Sequence, residues 1–163
     1  MRTNTYEYNE IGRTFCKMKD IRKSIRRCSE TGTLDEVELY EIKYFSILVT
    51  KLKIILEKLH LEIEEVHLNS LDEIISILDP QRKGISTFYV YDEYSEKLKN
   101  TREKKKQKEK EIFTANTEEK LSELKQQRLD LVIEEEEEEL RIRKELTLRI
   151  SKKTELINQN IKA

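Results

Sequence analysis

A long charged stretch without helix breakers limits what this chain can fold into. All three glycines and the single proline of its 163 residues occur no later than Gly84. Between residues 95 and 111 the only strongly apolar side chain is Leu98. A helix with so few apolar side chains has no face to bury, so it cannot form the interior of a globule. We therefore predict an all-α protein in which this helix projects from a helical core.

The composition supports long helices, but the net charge selects no partner. Charged residues make up 40% of the sequence and hydrophobic residues 36%, with few breakers, which is typical of long helices and coiled coils. The net charge is only −1. The charges are nevertheless clustered, because residues 13–27 hold seven basic side chains and one acidic one, and residues 134–139 are all glutamate. Such runs usually form solvated helix faces, but they can also fix pairing or bind phosphate.

Residues 1–94 are predicted to form the helical core. A first helix is expected over residues 9–28, because apolar side chains recur there at helical intervals: Ile11, Phe15, Met18, Ile21, Ile25 and Cys28. A second helix is expected to begin at Thr33, which forms a capping box with Glu36, and its many apolar side chains place it at the centre of the core. A third helix is expected to end at Leu78, because the residue before Pro80 disfavours the α conformation.

The segment between the core and the charged helix has a different composition. Residues 86–91 are mainly β-branched and aromatic, which predicts at most one short strand in the protein. The side chain of Asp92 or of Ser95 is then expected to cap the charged helix.

Residues 95–139 are predicted to form an antiparallel hairpin of two helices, a lever of coiled-coil type. The turn is expected at about residues 113–117, where Thr and Asn compete for backbone hydrogen bonds. The second helix runs from Thr117 to about Ile161 and is roughly 65–70 Å long, against about 25 Å for the first. Its end, residues 140–163, must therefore return and pack on the core.

The register of this hairpin determines where the charges lie. A turn near residue 115 places residues 104–110 beside residues 120–126, and it places the glutamates at 134–139 beside residues 91–96. The lysines at the tip then remain uncompensated, and we predict that they contact nucleic-acid phosphates: Lys104, Lys105, Lys106, Lys108, Lys110 and Lys120. The glutamates are expected to face basic side chains of the core helix predicted at residues 9–28, with Arg22, Arg26 and Arg27 as candidates.

The sequence offers no recognisable catalytic, cofactor or metal site. It contains no glycine-rich phosphate-binding loop and no Cys-x-x-Cys pair. His60, Glu64 and His67 could share a helix face, but the two histidines would be about 10 Å apart along it, too far for one zinc ion. We therefore expect no enzyme activity in these residues and treat the histidines as ordinary helix side chains.

The cysteines and the hydropathy bear on the compartment. Cys16 and Cys28 are expected to be buried, because both lie near the apolar stripe. They are expected to be free thiols, because about 18 Å along one helix is too far for a disulfide. Buried free thiols suit a reducing compartment. The sequence has no signal peptide and no apolar run long enough to cross a bilayer. We therefore expect a cytoplasmic protein without membrane contact.

The order of these segments resembles the core and lever region of MutS-type DNA mismatch-repair ATPases, in particular divergent bacterial MutS-like proteins. Four stretches carry the resemblance: LDEVELYEIKYFSILVTKL at 34–52, SLDEIISILDP at 70–80, ISTFYVYDEYSEKLKNTREKKKQKEKEI at 85–112, and RLDLVIEEEEEELRIRKELTLRIS at 128–151. The resemblance implies a helical core joined by lever helices to a DNA-contacting clamp and to an ATPase domain that uses ATP and Mg²⁺. The ATPase motifs are absent from these residues, so the chain is expected to be a non-catalytic fragment.

Two classes of function follow from these observations. The first is the core and lever of a MutS-like DNA repair protein, with weak, phosphate-directed DNA binding through the lysines and a possible homodimer. The second is a coiled-coil scaffold or self-association module whose partner is a protein, because the second helix of the hairpin carries apolar side chains along its length.

Overall fold

The structure is a computed structural model that describes residues 4–30, 32–61, 68–84 and 87–162. The regular secondary structure of the described residues is entirely helical and includes no strand, which confirms the all-α prediction. The chain divides into two compact units: the first contains residues 1–88 and 146–163, and the second contains residues 89–145.

The helices of the first unit come from both ends of the chain. They are α1 (Thr5–Lys17), α2 (Arg22–Ser29), α3 (Glu36–Lys58), α4 (Asp72–Leu78), the last turns of α6 from Leu146 onward, and α7 (Thr154–Lys162). The helices of the second unit are a short 3-10 turn (Asp92–Tyr94), α5 (Glu96–Phe113) and most of α6, which runs from Glu118 to Ser151.

The single helix predicted for residues 9–28 is wrong, because the structure contains two. Met18 is extended, with φ −71° and ψ 129°. The carboxylate of Asp20 accepts a hydrogen bond from the backbone N–H of Arg22 at 3.0 Å. An aspartate that satisfies a nearby backbone donor competes with helix continuation, and a new helix starts after it.

This break divides the predicted apolar stripe into two parts. Ile21 and Cys28 are buried, whereas the Phe15 side chain is 59% exposed. Both cysteines are free thiols as expected, but only Cys28 is buried, and the expectation of a buried Cys16 is wrong.

Helix α3 forms the centre of the first unit and begins later than predicted. Asp35, not Thr33, is its N-cap, because the Asp35 carboxylate accepts from the Glu38 N–H at 2.8 Å and the Glu38 carboxylate accepts from the Asp35 N–H at 3.0 Å. The preceding Leu34 is fully buried, and its N–H donates to the hydroxyl of Thr147 at 3.1 Å. The backbone at Leu34 is thus held by a distant residue, and the helix can start only after it.

The described part of the predicted strand, residues 87–91, forms no strand. Residues 85 and 86 lie outside the described residues. A β-rich composition favours a strand only when another strand pairs with it, and the described ranges contain none. Phe88, Val90 and Tyr91 instead bury their side chains, with less than 10% of each exposed.

The helix predicted from Thr117 to about Ile161 is also interrupted, and this break was not predicted from the sequence. Helix α6 ends at Ser151, and α7 begins at Thr154. The Thr154 hydroxyl donates to the Ser151 carbonyl at 3.0 Å, so a side chain satisfies the end of α6. Leu146, Ile150 and Ile157, on either side of the interruption, have at most 2% of their surface exposed within the first unit.

Candidate nucleic-acid interface

Helices α5 and α6 of the second unit run antiparallel and are joined by a short turn. The Ser95 hydroxyl caps α5 by accepting from the Leu98 N–H at 3.2 Å, as predicted. The turn comprises residues 114–117, and the Thr117 hydroxyl accepts from the Lys120 N–H at the start of α6. Polar pairs then connect the helices in antiparallel order: Arg128 to Glu109, Thr101 to Glu134 and Ser95 to Glu138.

The predicted pairing of charges along this hairpin is only partly correct. The glutamates at 134–139 were expected beside residues 91–96, and Glu138 does contact Ser95. The other partners include Thr101, Arg102 and Lys105, which lie further along α5 than predicted. Long helical side chains lean toward the N-terminus of their own helix. In an antiparallel pair, contacting residues therefore lie later in both helices than their backbone heights suggest.

The glutamates consequently have partners inside the second unit. Glu138 is held by Arg141 at 2.7 Å, and this ion pair, with hydrogen bonding from Ser95, lowers the pKa of Glu138. The three arginines predicted to face these glutamates belong to α2. Arg22 pairs with Asp20 at 2.6 Å, Arg27 pairs with Glu38 at 2.7 Å, and Arg26 is exposed.

Arg102 is the most connected side chain of the second unit. Its guanidinium donates to Asp92 at 2.6 Å, Glu135 at 2.9 Å and Glu139 at 2.7 Å. It also donates to the Val90 carbonyl at 2.7 Å. Only 13% of the side chain is exposed. Burial lowers the pKa of Arg102, but the three carboxylates outweigh that effect and raise it, so the charge is permanent.

An aromatic ring completes the environment of Arg102. The guanidinium lies 4.8 Å from the centroid of the Tyr89 ring, within the range of a cation–π contact. Tyr89 in turn contacts Tyr91 edge to face, with the ring centroids 5.4 Å apart. The segment before α5 is thus bound to both helices of the hairpin through one arginine. This role cannot be predicted from the sequence, because Arg102 lies in a run of basic side chains and its partners belong to other segments.

The six predicted phosphate-contacting lysines fall into two groups. Lys105 pairs with Glu135, and Lys108 pairs with Glu111 at 3.2 Å, so neither carries an uncompensated charge. The other four are exposed and form no ion pair with any residue in the described ranges; we call them the tip lysines: Lys104, Lys106, Lys110 and Lys120.

The end of the hairpin also exposes an aromatic side chain. Phe113, the last residue of α5, is 93% exposed and follows Lys110 by one helical turn. The sequence analysis assigned it only to the turn. Its exposure follows from the turn beginning at the next residue, which leaves no neighbouring helix to cover the ring. Cations beside an exposed ring form a surface that can contact phosphate and stack on a base.

The charge at this end of the hairpin is nearly balanced. Residues 103–127 contain seven lysines and six glutamates. A surface of this kind attracts phosphate only locally, through individual ammonium groups, and does not generate a long-range positive field. Any affinity for nucleic acid is therefore expected to be weak and strongly dependent on salt.

The first unit contains a buried charged pair that the sequence analysis did not identify. Lys43 is 1% exposed and donates to the Thr87 carbonyl at 3.0 Å, and its ammonium lies 5.5 Å from the Tyr40 ring. Burial lowers the pKa of Lys43, and the buried carboxylate of Asp79 opposes that effect. Asp79 also accepts hydrogen bonds from the N–H groups of Lys83 and Gly84. These contacts hold the loop after α4 in place and form no open site.

The described ranges contain neither a metal site nor a membrane span. No group of three or more His, Cys, Asp or Glu side chains there could hold a metal ion. Of the trio considered in the sequence, Glu64 and His67 lie outside the described residues. No helix in those ranges has both the length and the apolar character needed to span a membrane.

The chain was compared with protein-family models, with curated proteins and with solved structures. None of the three comparisons finds a match.

Proposed function

We propose that this chain is a non-catalytic core and lever fragment of a MutS-like DNA mismatch-repair protein. The proposal rests on the order of the four sequence stretches that resemble the family. It is supported by the architecture, a helical unit and an antiparallel helix pair that share the long helix α6. On this proposal ATP and Mg²⁺ belong to the ATPase of the parent protein, and the protein acts in the cytoplasm.

DNA contact is assigned to the end of the hairpin. The single observation that supports it is the group of four tip lysines, exposed and unpaired among the described residues, of which Lys110 lies one helical turn before the exposed ring of Phe113. The ammonium groups contact phosphates, and the ring stacks on an unpaired base where one is available. Lys105 and Lys108 are left out of this role, because carboxylates already neutralise them.

Salt-dependent DNA binding tests this assignment. Fluorescence anisotropy with a random-sequence duplex should give a plot of log affinity against log salt with a slope of at most about −3 to −4, since each phosphate contact contributes about −0.9. Replacing the four tip lysines with glutamate should abolish binding. Phe113→Ala should weaken binding to single strands more than binding to duplex, because only unpaired bases can stack on the ring.

The matched control reverses four lysines of the first unit that are exposed and have no ion-pair partner among the described residues: Lys17, Lys23, Lys83 and Lys152. This variant has the same net charge as the tip variant. It should retain most of the affinity. Equal losses in the two variants would mean that only net charge matters, and that result would reject the hairpin end as the DNA contact.

A second candidate function is a scaffold that binds another protein through α6. The observation that favours it is the exposure of three large apolar side chains on the part of α6 in the second unit: Leu129 at 50%, Ile133 at 46% and Leu140 at 39%. Apolar side chains that recur on one exposed helix face are typical of helix-to-helix docking. Sedimentation over a range of concentrations measures self-association, and its loss in Leu140→Lys would assign that association to α6. DNA binding by the tip lysines should be unchanged in the same variant, which separates the two functions.

A further inference from the structure

An exposed stripe of the second unit alternates apolar and charged side chains along α6. Ile133, Glu137, Leu140 and Lys144 follow one another at intervals of four, three and four residues, so they share one face of the helix. All four side chains are exposed. Glu137 and Lys144 form no ion pair with any described residue, although α6 carries many acidic and basic side chains.

We infer that this stripe binds a second copy of the same chain in antiparallel orientation. This inference rests on the scaffold function above and specifies its partner. The charges carry it: an acid lies one turn before Leu140, and a base lies one turn after it. When an identical helix is placed antiparallel across Leu140, each Glu137 faces the Lys144 of the other copy. The stripe is therefore complementary to itself, as a two-fold symmetric interface requires.

The same pattern excludes a parallel pair. Two parallel copies in register would place Glu137 against Glu137 and Lys144 against Lys144, and both contacts are repulsive. In the antiparallel pair, Leu140 packs against Leu140 at the centre, where the two charged pairs screen it from water.

The contact is small, so the dimer should be weak. Few side chains from each copy take part, and interfaces of this size belong to the transient class. We expect a dissociation constant on the order of 100 μM, which sedimentation detects between about 10 μM and about 1 mM. A wild-type chain that stays monomeric over this range overturns the inference.

Charge reversal tests the pairing itself. Lys144→Glu and Glu137→Lys each create two repulsive contacts per dimer, and each should raise the dissociation constant at least tenfold. The double variant, with both substitutions, restores opposite charges and should return to within about threefold of the wild type. A double variant as weak as the single ones overturns the inference.

Lys125→Glu provides the control for charge. Lys125 is exposed on the same helix, has no described ion-pair partner and lies about 22 Å along the axis from Leu140, beyond the end of the stripe. It changes the net charge as Lys144→Glu does and should leave dimerisation unchanged. A loss equal to that of Lys144→Glu would show that net charge alone governs association, which also overturns the inference. Circular dichroism confirms that each variant keeps its helix content.

Disulfide trapping tests the orientation. In a Cys16→Ser background, which removes the exposed native thiol, Leu140→Cys should cross-link two copies under mild oxidation, because the two positions meet at the symmetry axis. Ile133→Cys should not cross-link, because the antiparallel arrangement separates the two copies of this residue. Cross-linking at residue 133 would indicate a parallel pair and overturn the inference. The tip lysines are unchanged in all these variants, so DNA binding can be measured separately and can fail independently.

Discussion

Removal of the Arg102 side chain should weaken the second unit more than any other single charge deletion on the hairpin. The guanidinium bonds to three carboxylates and one carbonyl and is 13% exposed. Removing one partner of a well-buried ion pair costs about 3–5 kcal/mol, because the remaining charges stay buried and unpaired. The carboxylate of Asp92 is 45% exposed and that of Glu139 is 25% exposed, so water can solvate them in part. We therefore expect Arg102→Ala to cost about 2–4 kcal/mol.

The same hairpin provides a matched control. Arg128 also pairs with a glutamate across the two helices, but it is 43% exposed and Glu109 is 40% exposed. An exposed pair contributes about 0.2–1 kcal/mol, so Arg128→Ala should have little effect. Arg102→Lys should not rescue the loss, because an ammonium group cannot reproduce the planar fork that reaches several oxygens at once.

Hydrogen exchange resolved by residue is the suitable assay. The chain has two units and need not unfold in one step, so a single global midpoint is ambiguous. Arg102→Ala should accelerate exchange of the amides of α5, by about 30-fold or more if the loss is at least 2 kcal/mol. If Arg102→Ala and Arg128→Ala accelerated exchange equally, burial would not govern the strength of these pairs, and the reasoning would be refuted.

Three further predictions follow from the titrating and buried groups. Burial raises the pKa of Glu135, but its two cationic partners outweigh that effect and lower the pKa below its ordinary value. The ionised Glu135 therefore stabilises the second unit above the ordinary carboxyl pKa and loses that contribution as the pH falls through the lowered value, so protection of the α5 amides should fall more steeply on acidification in the wild type than in Glu135→Gln. Burial raises the pKa of Cys28 to about 11, so iodoacetamide should modify the exposed Cys16 in the native protein and Cys28 only after unfolding, which peptide mass spectrometry measures. Lys43→Met should lower the free energy of unfolding of the first unit by about 2–3 kcal/mol, because it leaves the Thr87 carbonyl without this donor; unchanged hydrogen exchange of the α3 amides would contradict the hydrogen bond.

The helical fold, and the helix ends that are marked by a capping residue, a proline or a turn, could be predicted from the sequence. The cap at Ser95, the end of α4 before Pro80 and the turn after Phe113 all follow from local chemistry, and the structure has them where the sequence predicted. The start of α3 could not be predicted locally. Thr33 and Asp35 are both acceptable caps, and a contact from Leu34 to a residue more than a hundred positions away decides between them.

In the candidate site, too, features set by local sequence could be predicted, whereas contacts between segments could not. Exposure of the tip lysines was expected from the polar character of α5 and is present in the structure. The pairing of Lys105 with Glu135 was not expected, because the estimate used backbone height and ignored the direction in which long side chains lean. The four groups that Arg102 binds come from two other segments, residues 90–92 and α6, so no pattern within α5 could indicate these contacts.

The first unit is built from two separate parts of the chain, and this affects how deletion variants should be designed. Residues 89–145 interrupt that unit, whose second part begins at Leu146. Thr147 holds the earlier part twice, since its hydroxyl accepts from the Leu34 N–H and its carbonyl accepts from the Cys28 thiol at 3.1 Å. A series of C-terminal truncations would therefore damage the first unit before it reached the hairpin, and lost activity would be assigned to the wrong half. Excising residues 89–145 and bridging the gap is the deletion that respects the architecture.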